Sequence, residues 1–330
     1  MSALQLVWQS AVVVLGSGIL GLLYKGVDRK LAARMQGRIG PPLRQPFRDV
    51  GKLMVKENVV PRDAVPWLFH AAPLLAVVAS VTVLLYLPLG PYKPVLSGQG
   101  DLILILYLLA VPAVAMALGG FASGSPFASV GAQREIVMMM SYEFPLAITV
   151  IGVVWRLAPL VEEPAFAMAT VAANPLWAMV GPLGVLGLAL LLLCLLVVTP
   201  AELSKIPFDI PEAETEIAGG LMVEYSGVNL ALFYLADAVK TVAVGALVVA
   251  LFFPYGIASP LGLTGAWGVL MDQLFFFVKV FAVVFAAVTT VRVAMARLKV
   301  DQVARSFWIP ITAVALAGLA LLVMDKVVMG

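Results

Sequence analysis

Across 330 residues the chain has one cysteine and one histidine, and only 12% of its residues are charged. Cys194 stands alone in an apolar run, which excludes an intrachain disulfide, a cysteine-ligated iron–sulfur cluster and a thiolate zinc site. A single histidine, His70, likewise excludes the usual histidine-ligated haems and metal clusters, so no redox centre, cofactor or metal is expected in this chain. Soluble domains average about 25% charged residues. Here 62% of residues are hydrophobic, which marks an integral membrane protein. The N-terminal apolar stretch lacks a small-residue cleavage site before the first basic segment and reads as an uncleaved span.

About 20 apolar residues cross a bilayer core. On that criterion the sequence predicts an all-α membrane protein, a single polytopic domain over residues 1–330 with about eight transmembrane helices. Their expected ranges are roughly 4–24, 66–88, 101–121, 134–155, 176–198, 223–253, 270–291 and 308–326. The sixth is too long for one straight span. Cations sort sharply between alternate loops: ten Lys/Arg lie between Lys25 and Arg62 and four between Arg292 and Arg305, whereas the other side holds Lys93, Arg156 and Lys326. The positive-inside rule places the basic loops in the cytoplasm and both termini outside, in a cell membrane. In the first basic loop, Phe47, Val50, Leu53 and Met54 alternate with Arg48, Asp49, Lys52 and Lys56 at helical spacing, the pattern of an amphipathic interface helix or a lipid-headgroup anchor. No inverted repeat of the transporter kind is visible.

The most informative segment follows the fifth span. Glu202, Asp209, Glu212, Glu214 and Glu216 precede Gly219-Gly220, and Glu224 follows as the chain re-enters an apolar run. Asp209 with Glu212 three positions on, and Pro211 between them, fits a capped helix start. That reading leaves Glu216 less well explained, because Glu212 and Glu216 would repel on one helix face. Adjacent carboxylates in a low-dielectric setting raise one another's pKa, so the alternative is proton handling.

Ionisable residues also fall inside spans, where a charge costs several kcal/mol and usually lines a polar path or pairs internally. Glu143 lies roughly 12 Å deeper than Glu135 in the fourth span, with Tyr142 on nearly the same face as Glu135. Asp237 and Lys240 are three apart in the sixth, as an internal pair or as part of a path, and Lys279 is within the seventh. Glu202, Glu224, Glu143, Asp237 and Lys279 suggest a chain of protonatable groups running inward from the basic side. His70 reads as a structural histidine. Phe121–Phe127 and Gly131–Glu135 read as an ordered turn.

Four segments carry a family resemblance: Asp28-Arg29-Lys30 through Arg34, Gln36, Arg38, Gly40-Pro41, Gln45-Pro46 and Lys52; Arg134-Glu135 with Ser141-Tyr142-Glu143; Glu202 to Glu216 with Glu224-Tyr225-Ser226-Gly227 and Asp237; and Arg292, Arg297, Asp301-Gln302, Trp308 and Pro310. In this order they resemble the H subunit of NADH:quinone oxidoreductase and its relatives in energy-converting membrane-bound [NiFe] hydrogenases, including formate hydrogenlyase. Asp28 stands where the family commonly has Glu. Only Pro42-Leu43-Arg44 separates Gly40-Pro41 from Gln45-Pro46, where quinone-reducing members carry a longer insert. That shortening, with the wording of Gly131–Glu135 and Ile210–Glu216, looks like the hydrogenase branch.

The resemblance implies a membrane foot beneath a peripheral electron-transfer arm. Its partners would be hydrogenase small and large subunits, an iron–sulfur subunit, antiporter-like membrane subunits and the lipid bilayer, with no nucleic acid. The [4Fe-4S] clusters and [NiFe] centre would lie in those partners, and a quinone would be bound only in the quinone-reductase alternative. Carried over residue by residue, Glu143, Glu202, Asp209, Glu212, Glu214, Glu216, Glu224 and Asp237 would couple redox chemistry to proton or sodium movement, with Lys279 in the same path. Arg29, Arg34, Arg38, Arg134, Arg292 and Arg297 would hold the acidic loop or the docked arm. A third reading, a stand-alone ion carrier, is opposed by the missing repeats and the one-sided charged loops.

Overall fold

The computed structural model describes residues 3–329, and these are helical throughout apart from loops and turns. Among the described residues eight helices are long and apolar enough to cross a membrane, which makes the chain a multi-pass membrane protein. In chain order the helices are α1 (Ala3–Met35), α2 (Gln45–Val55), α3 (Pro66–Tyr86), α4 (Asp101–Ala122), α5 (Pro126–Leu157), α6 (Met168–Ala173), α7 (Pro182–Glu202), α8 (Glu214–Ile217), α9 (Gly227–Phe252), α10 (Gly265–Val284), α11 (Thr290–Ala294), α12 (Val300–Ser306) and α13 (Thr312–Met329). The pair α10/α11 and the pair α12/α13 each form one span, joined through a π-helical turn at Phe285–Thr289 and at Phe307–Ile311.

The eight expected spans are present, but several limits move. The first helix runs on to Met35, so Lys25, Asp28, Arg29 and Arg34 project from a rigid rod and not from a loop. The fourth begins at Pro126, which makes Gly131–Glu135 helical and confines the turn to Ser123–Ser125. The fifth starts at Pro182 and the sixth at Gly227, after a broken connection through residues 203–226. Charge misled the boundaries: a helix carries Lys and Arg past the hydrocarbon without unwinding, because the long side chains reach the headgroup zone. The interface helix is present as α2, with Phe47, Met54 and Val55 exposed along it.

Helix α9 forms the centre of the bundle, and every residue from Ala238 to Phe252 is buried. It packs against α1, α2, α3 and α10. Small residues set the helix separations, as expected where packing and not hydrophobicity drives association. Gly187 of α7 and Gly318 of α13 face each other so closely that a Cβ on Gly187 would sit 2.8 Å from the Gly318 carbonyl oxygen. In the second π turn Pro310 has no N–H to give the ladder. The Thr312 hydroxyl adds a bond of its own to the Phe307 carbonyl at 2.7 Å, beside that from its N–H.

Candidate functional site

Where α1, α7, α9 and α11 converge beneath the 203–226 connection, a cavity of about 230 Å³ is lined by charge of both signs. The α1 helix supplies Lys25, Asp28 and Arg29, and α7 ends on Glu202. The connection adds Lys205 and Glu212, α9 adds Asp237 and Lys240, and α11 adds Arg292. The regularity of α9 places Asp237 and Lys240 almost one turn apart, yet they do not pair with each other. Asp237 Oδ2 lies 2.6 Å from Lys25 Nζ and 2.7 Å from Lys205 Nζ. Lys240 Nζ reaches Glu202 Oε1 at 2.7 Å, a charge contact without hydrogen-bond alignment. Of the two readings of Asp237 and Lys240, the internal pair does not form; three contacts to α1, the connection and α7 take its place, because each side chain has a nearer opposite charge on a neighbouring element.

One carboxylate cannot neutralise two ammonium groups. Glu212, half-buried in the same cavity wall, supplies a second negative charge near Lys205 and Lys25. Burial holds the Glu212 carboxyl above its ordinary range; Lys205 and Lys25 pull it down, and Asp237 and Asp209 add to the rise. For Lys205, burial opposes the charge, but the contact with Asp237 outweighs it and the pKa ends above normal.

The acidic connection is tied down by arginines on both sides. Arg297 grips Asp209 in a fork, Nε to Oδ1 at 2.8 Å and Nη2 to Oδ2 at 2.5 Å, and donates to Thr215 Oγ1 at 3.1 Å. Arg134 pairs with Glu216. The Leu298 N–H donates to the Pro207 carbonyl at 3.1 Å, fastening the connection to the segment before α12. Asp209 does stand at the head of a single 3₁₀ turn, Ile210–Glu212, but its side chain caps no N–H; both oxygens go to Arg297. Glu212 and Glu216 fall in different short helices, so the repulsion expected on one helix face does not arise. Gly220, at φ +51°, packs so tightly on Pro211 and Ile217 that no side chain would fit there.

A second knot lies beside the first. Arg292 Nη1 contacts Asp28 Oδ2 at 2.8 Å, while Asp28 Oδ1 accepts the Thr289 hydroxyl at 2.6 Å. Thr289 closes the first π turn, and the widened turn places it and Arg292 on Asp28 together. Arg29 Nη1 reaches Asp49 of α2 at 3.0 Å.

Along α5, inward from the Arg134–Glu216 pair, Glu135 and Tyr142 are buried; Glu135 Oε2 and the Tyr142 hydroxyl have no hydrogen-bond partner among the described residues. Glu143 is half-buried and unpaired among those residues. Glu214 is exposed, and Glu224 is half-buried outside the cavity lining. Arg34 and Arg38 are exposed; Arg38 contacts only the Gln36 side chain among the described residues.

Lys279 does not belong to this network. Its ammonium donates to the carbonyls of Phe253 at 2.7 Å and Tyr255 at 2.6 Å, at the opposite end of the bundle, and shares a separate cavity with Asp272. The buried apolar stretch of α9 from Val242 to Phe252 lies between the two cavities. His70 is, as expected, satisfied within the structure, hydrogen-bonded to Asn229. Lys25, Lys205 and Lys240 are the residues that the sequence reading underweighted. The available signal was the lone cation Lys205 inside an acidic connection, and a Lys240 that needed a counter-ion at membrane depth.

Fold and site together define a multi-pass helical membrane protein with a buried ionic network under an acidic, arginine-bound connection. The chain belongs to the NADH dehydrogenase family, whose pattern it matches over residues 8–323. It is 32% identical to the H subunit of the NADH-quinone oxidoreductase of Brevibacillus brevis, covering 94% of this chain and 90% of the relative. It is 35% identical to hydrogenase-4 component C of Escherichia coli K12, over 77% of this chain and 76% of the relative. Among solved structures, it resembles a chain of the membrane-bound sulfane sulfur reductase, an archaeal respiratory membrane complex, with a TM-score of 0.83 at 28% identity. That match covers 96% of this chain and 99% of the other. The chain is thus a membrane subunit of the kind found in complex I-like and hydrogenase-related oxidoreductases.

Proposed function

We propose that this chain is the membrane-anchor and ion-coupling subunit of an energy-converting [NiFe] hydrogenase complex. In this reading it docks the electron-transfer arm at its basic face and links the arm's redox reaction to proton or sodium movement. The observation that carries the reading is the cavity in which Lys25, Lys205 and Lys240 meet Asp237, Glu202 and Glu212. Such a cluster can take up or release a charge at one member and pass the electrostatic change to the next. Asp209 and Glu216 tie the overlying connection to Arg297 and Arg134, so movement of a docked arm would be felt by Lys205 and Glu212 in the same segment. Glu135, Tyr142 and Glu143 continue the polar line along α5 into the membrane.

The basic loops face the cytoplasm in this proposal and both termini face outward. Hydrogenase small and large subunits and an iron–sulfur subunit sit above and carry the [4Fe-4S] clusters and the [NiFe] centre; antiporter-like subunits adjoin in the membrane. The 35% identity to hydrogenase-4 component C supports this branch. The second reading, a quinone-site-forming H subunit of an NADH:quinone oxidoreductase, is favoured by relatives such as that of Brevibacillus brevis, which match nearly the whole chain. Purification of the assembled complex separates the two. Nickel with hydrogen evolution supports the first, whereas bound quinone and inhibitor-sensitive quinone reduction would overturn it in favour of the second.

A further inference from the structure

Beyond the coupling role, we propose that a hollow at the C-terminal end of α1 is a seat for the phosphate of an anionic phospholipid headgroup. The hollow has a volume of about 270 Å³, and its charged lining is three arginines, Arg29, Arg38 and Arg292, with no carboxylate. Each guanidinium carries five N–H donors. Arg29 spends one on Asp49, Arg292 one on Asp28 and Arg38 one on Gln36, which leaves most of the donors free. Three forks around one space match the tetrahedral oxygens of a phosphate, which guanidinium groups bind in bidentate fashion.

The end of a helix normally disfavours an anion through its free carbonyls. Here those carbonyls are occupied: Gln36 N–H donates to Ala32, Gly37 to Arg34 and Arg38 to Ala33, at 3.1, 3.0 and 2.8 Å. Asp49 and Asp28 each pair with one arginine from outside the hollow, which leaves Arg38 as the guanidinium with no carboxylate partner among the described residues. Depth favours a lipid over a protein acid. Arg29 lies five residues beyond Tyr24, the last residue of the apolar run of α1, or about 7 Å along the helix, which is headgroup depth. Polybasic clusters at this level attract anionic headgroups. Arg29 and Arg292 also line the inner charged cavity, so an anion in the hollow bears on the Asp28–Arg292 pair.

The test uses the whole purified complex in nanodiscs of phosphatidylcholine, with or without phosphatidylglycerol. Retained lipid is counted by native mass spectrometry and thermal stability is followed in parallel. The wild type is expected to retain phosphatidylglycerol selectively and to be stabilised by it. Arg38→Gln is expected to weaken that retention about tenfold, the scale of one charge-assisted contact, and Arg38→Lys to weaken it less. Arg62→Gln, outside the hollow, should leave it unchanged. Equal retention in Arg38→Gln and the wild type would overturn the proposal. Stabilisation by inorganic phosphate alone to the same degree would overturn the lipid assignment. Loss of soluble subunits from Arg38→Gln with lipid retention unaltered would overturn it in favour of a protein acid.

Discussion

Lys240 of α9 and Glu202 at the end of α7 are 2.7 Å apart, with side chains only 6% and 2% exposed. A pair so deeply buried is a weak source of net stability, because desolvation offsets most of the attraction, but it is costly to break from one side. Glu202→Gln or Lys240→Met alone is expected to destabilise the folded chain by about 3–5 kcal/mol. The double variant should recover most of that loss. Thermal unfolding of the nanodisc-embedded complex measures it; equal losses in the single and double variants would show that the pair acts through shape and not charge.

Asp237 holds two ammonium groups on one oxygen, from α1 and from the acidic connection. Replacing it with Asn leaves Lys25 and Lys205 facing each other across the cavity. The connection should then lift, since Lys205 is its only ionic tie to α9 among the described residues. Hydrogen exchange across residues 203–213 is expected to rise, together with a loss of ion-coupled turnover. Faster exchange with unchanged coupling would limit Asp237 to a structural role.

Much of this arrangement was legible beforehand, and the reasons for the failures are physical. The eight spans follow from long apolar runs, which a bilayer selects by length, and α2 follows from its helical alternation. The acidic connection stood out in the sequence because carboxylates beside a membrane are unusual. Partner choice was not legible. Asp237 and Lys240 are neighbours in sequence, but their counter-ions come from α1, the connection and α7, and only helix packing decides which is nearest. Asp209 looked like a cap because capping is a local pattern. Arg297, 88 positions away, outcompetes it with a two-point fork.

That fork supports a third prediction. Arg297→Ala removes both charge-assisted bonds to Asp209 and the contact with Thr215. Because the pair is partly exposed, the cost in stability is about 1–2 kcal/mol. The stronger effect is local: limited proteolysis should cut within 203–226 faster than in the wild type. Arg297→Lys keeps the charge but not the fork and should protect only in part. Unchanged cleavage in both variants would remove the anchoring role.

Glu212 gives a pH dependence whose sign can be worked out. Its folded pKa is raised above the ordinary 4.5, chiefly by burial. Between the unfolded and folded values the native state holds more protons than the unfolded one, so this group's contribution to stability falls as pH rises through that window. Below the ordinary carboxylate range both states are protonated and nothing further is gained. Glu212→Gln is therefore expected to be more stable than the wild type at neutral pH, with the advantage shrinking as pH falls toward 4.5. Melting temperatures taken across that range provide the measurement. An advantage independent of pH would assign the effect to packing.

Lys279 provides the contrasting case. It sits within a span, as Asp237 and Lys240 do, but its ammonium is held by the Phe253 and Tyr255 carbonyls at the far end of the bundle. The α9 residues from Val242 to Phe252, all buried and nearly all apolar, separate it from Asp237 and Lys240. Lys279→Met would leave two carbonyls without their donor, a local cost of about 1–3 kcal/mol, seen as faster exchange in residues 253–257. Ion-coupled turnover at the basic face should stay at the wild-type level, because no charged group of the cavity touches Lys279. If turnover fell as far as in Asp237→Asn while exchange at 253–257 stayed unchanged, a path through the whole chain would have to exist, and the packing of α9 would have to open to form it.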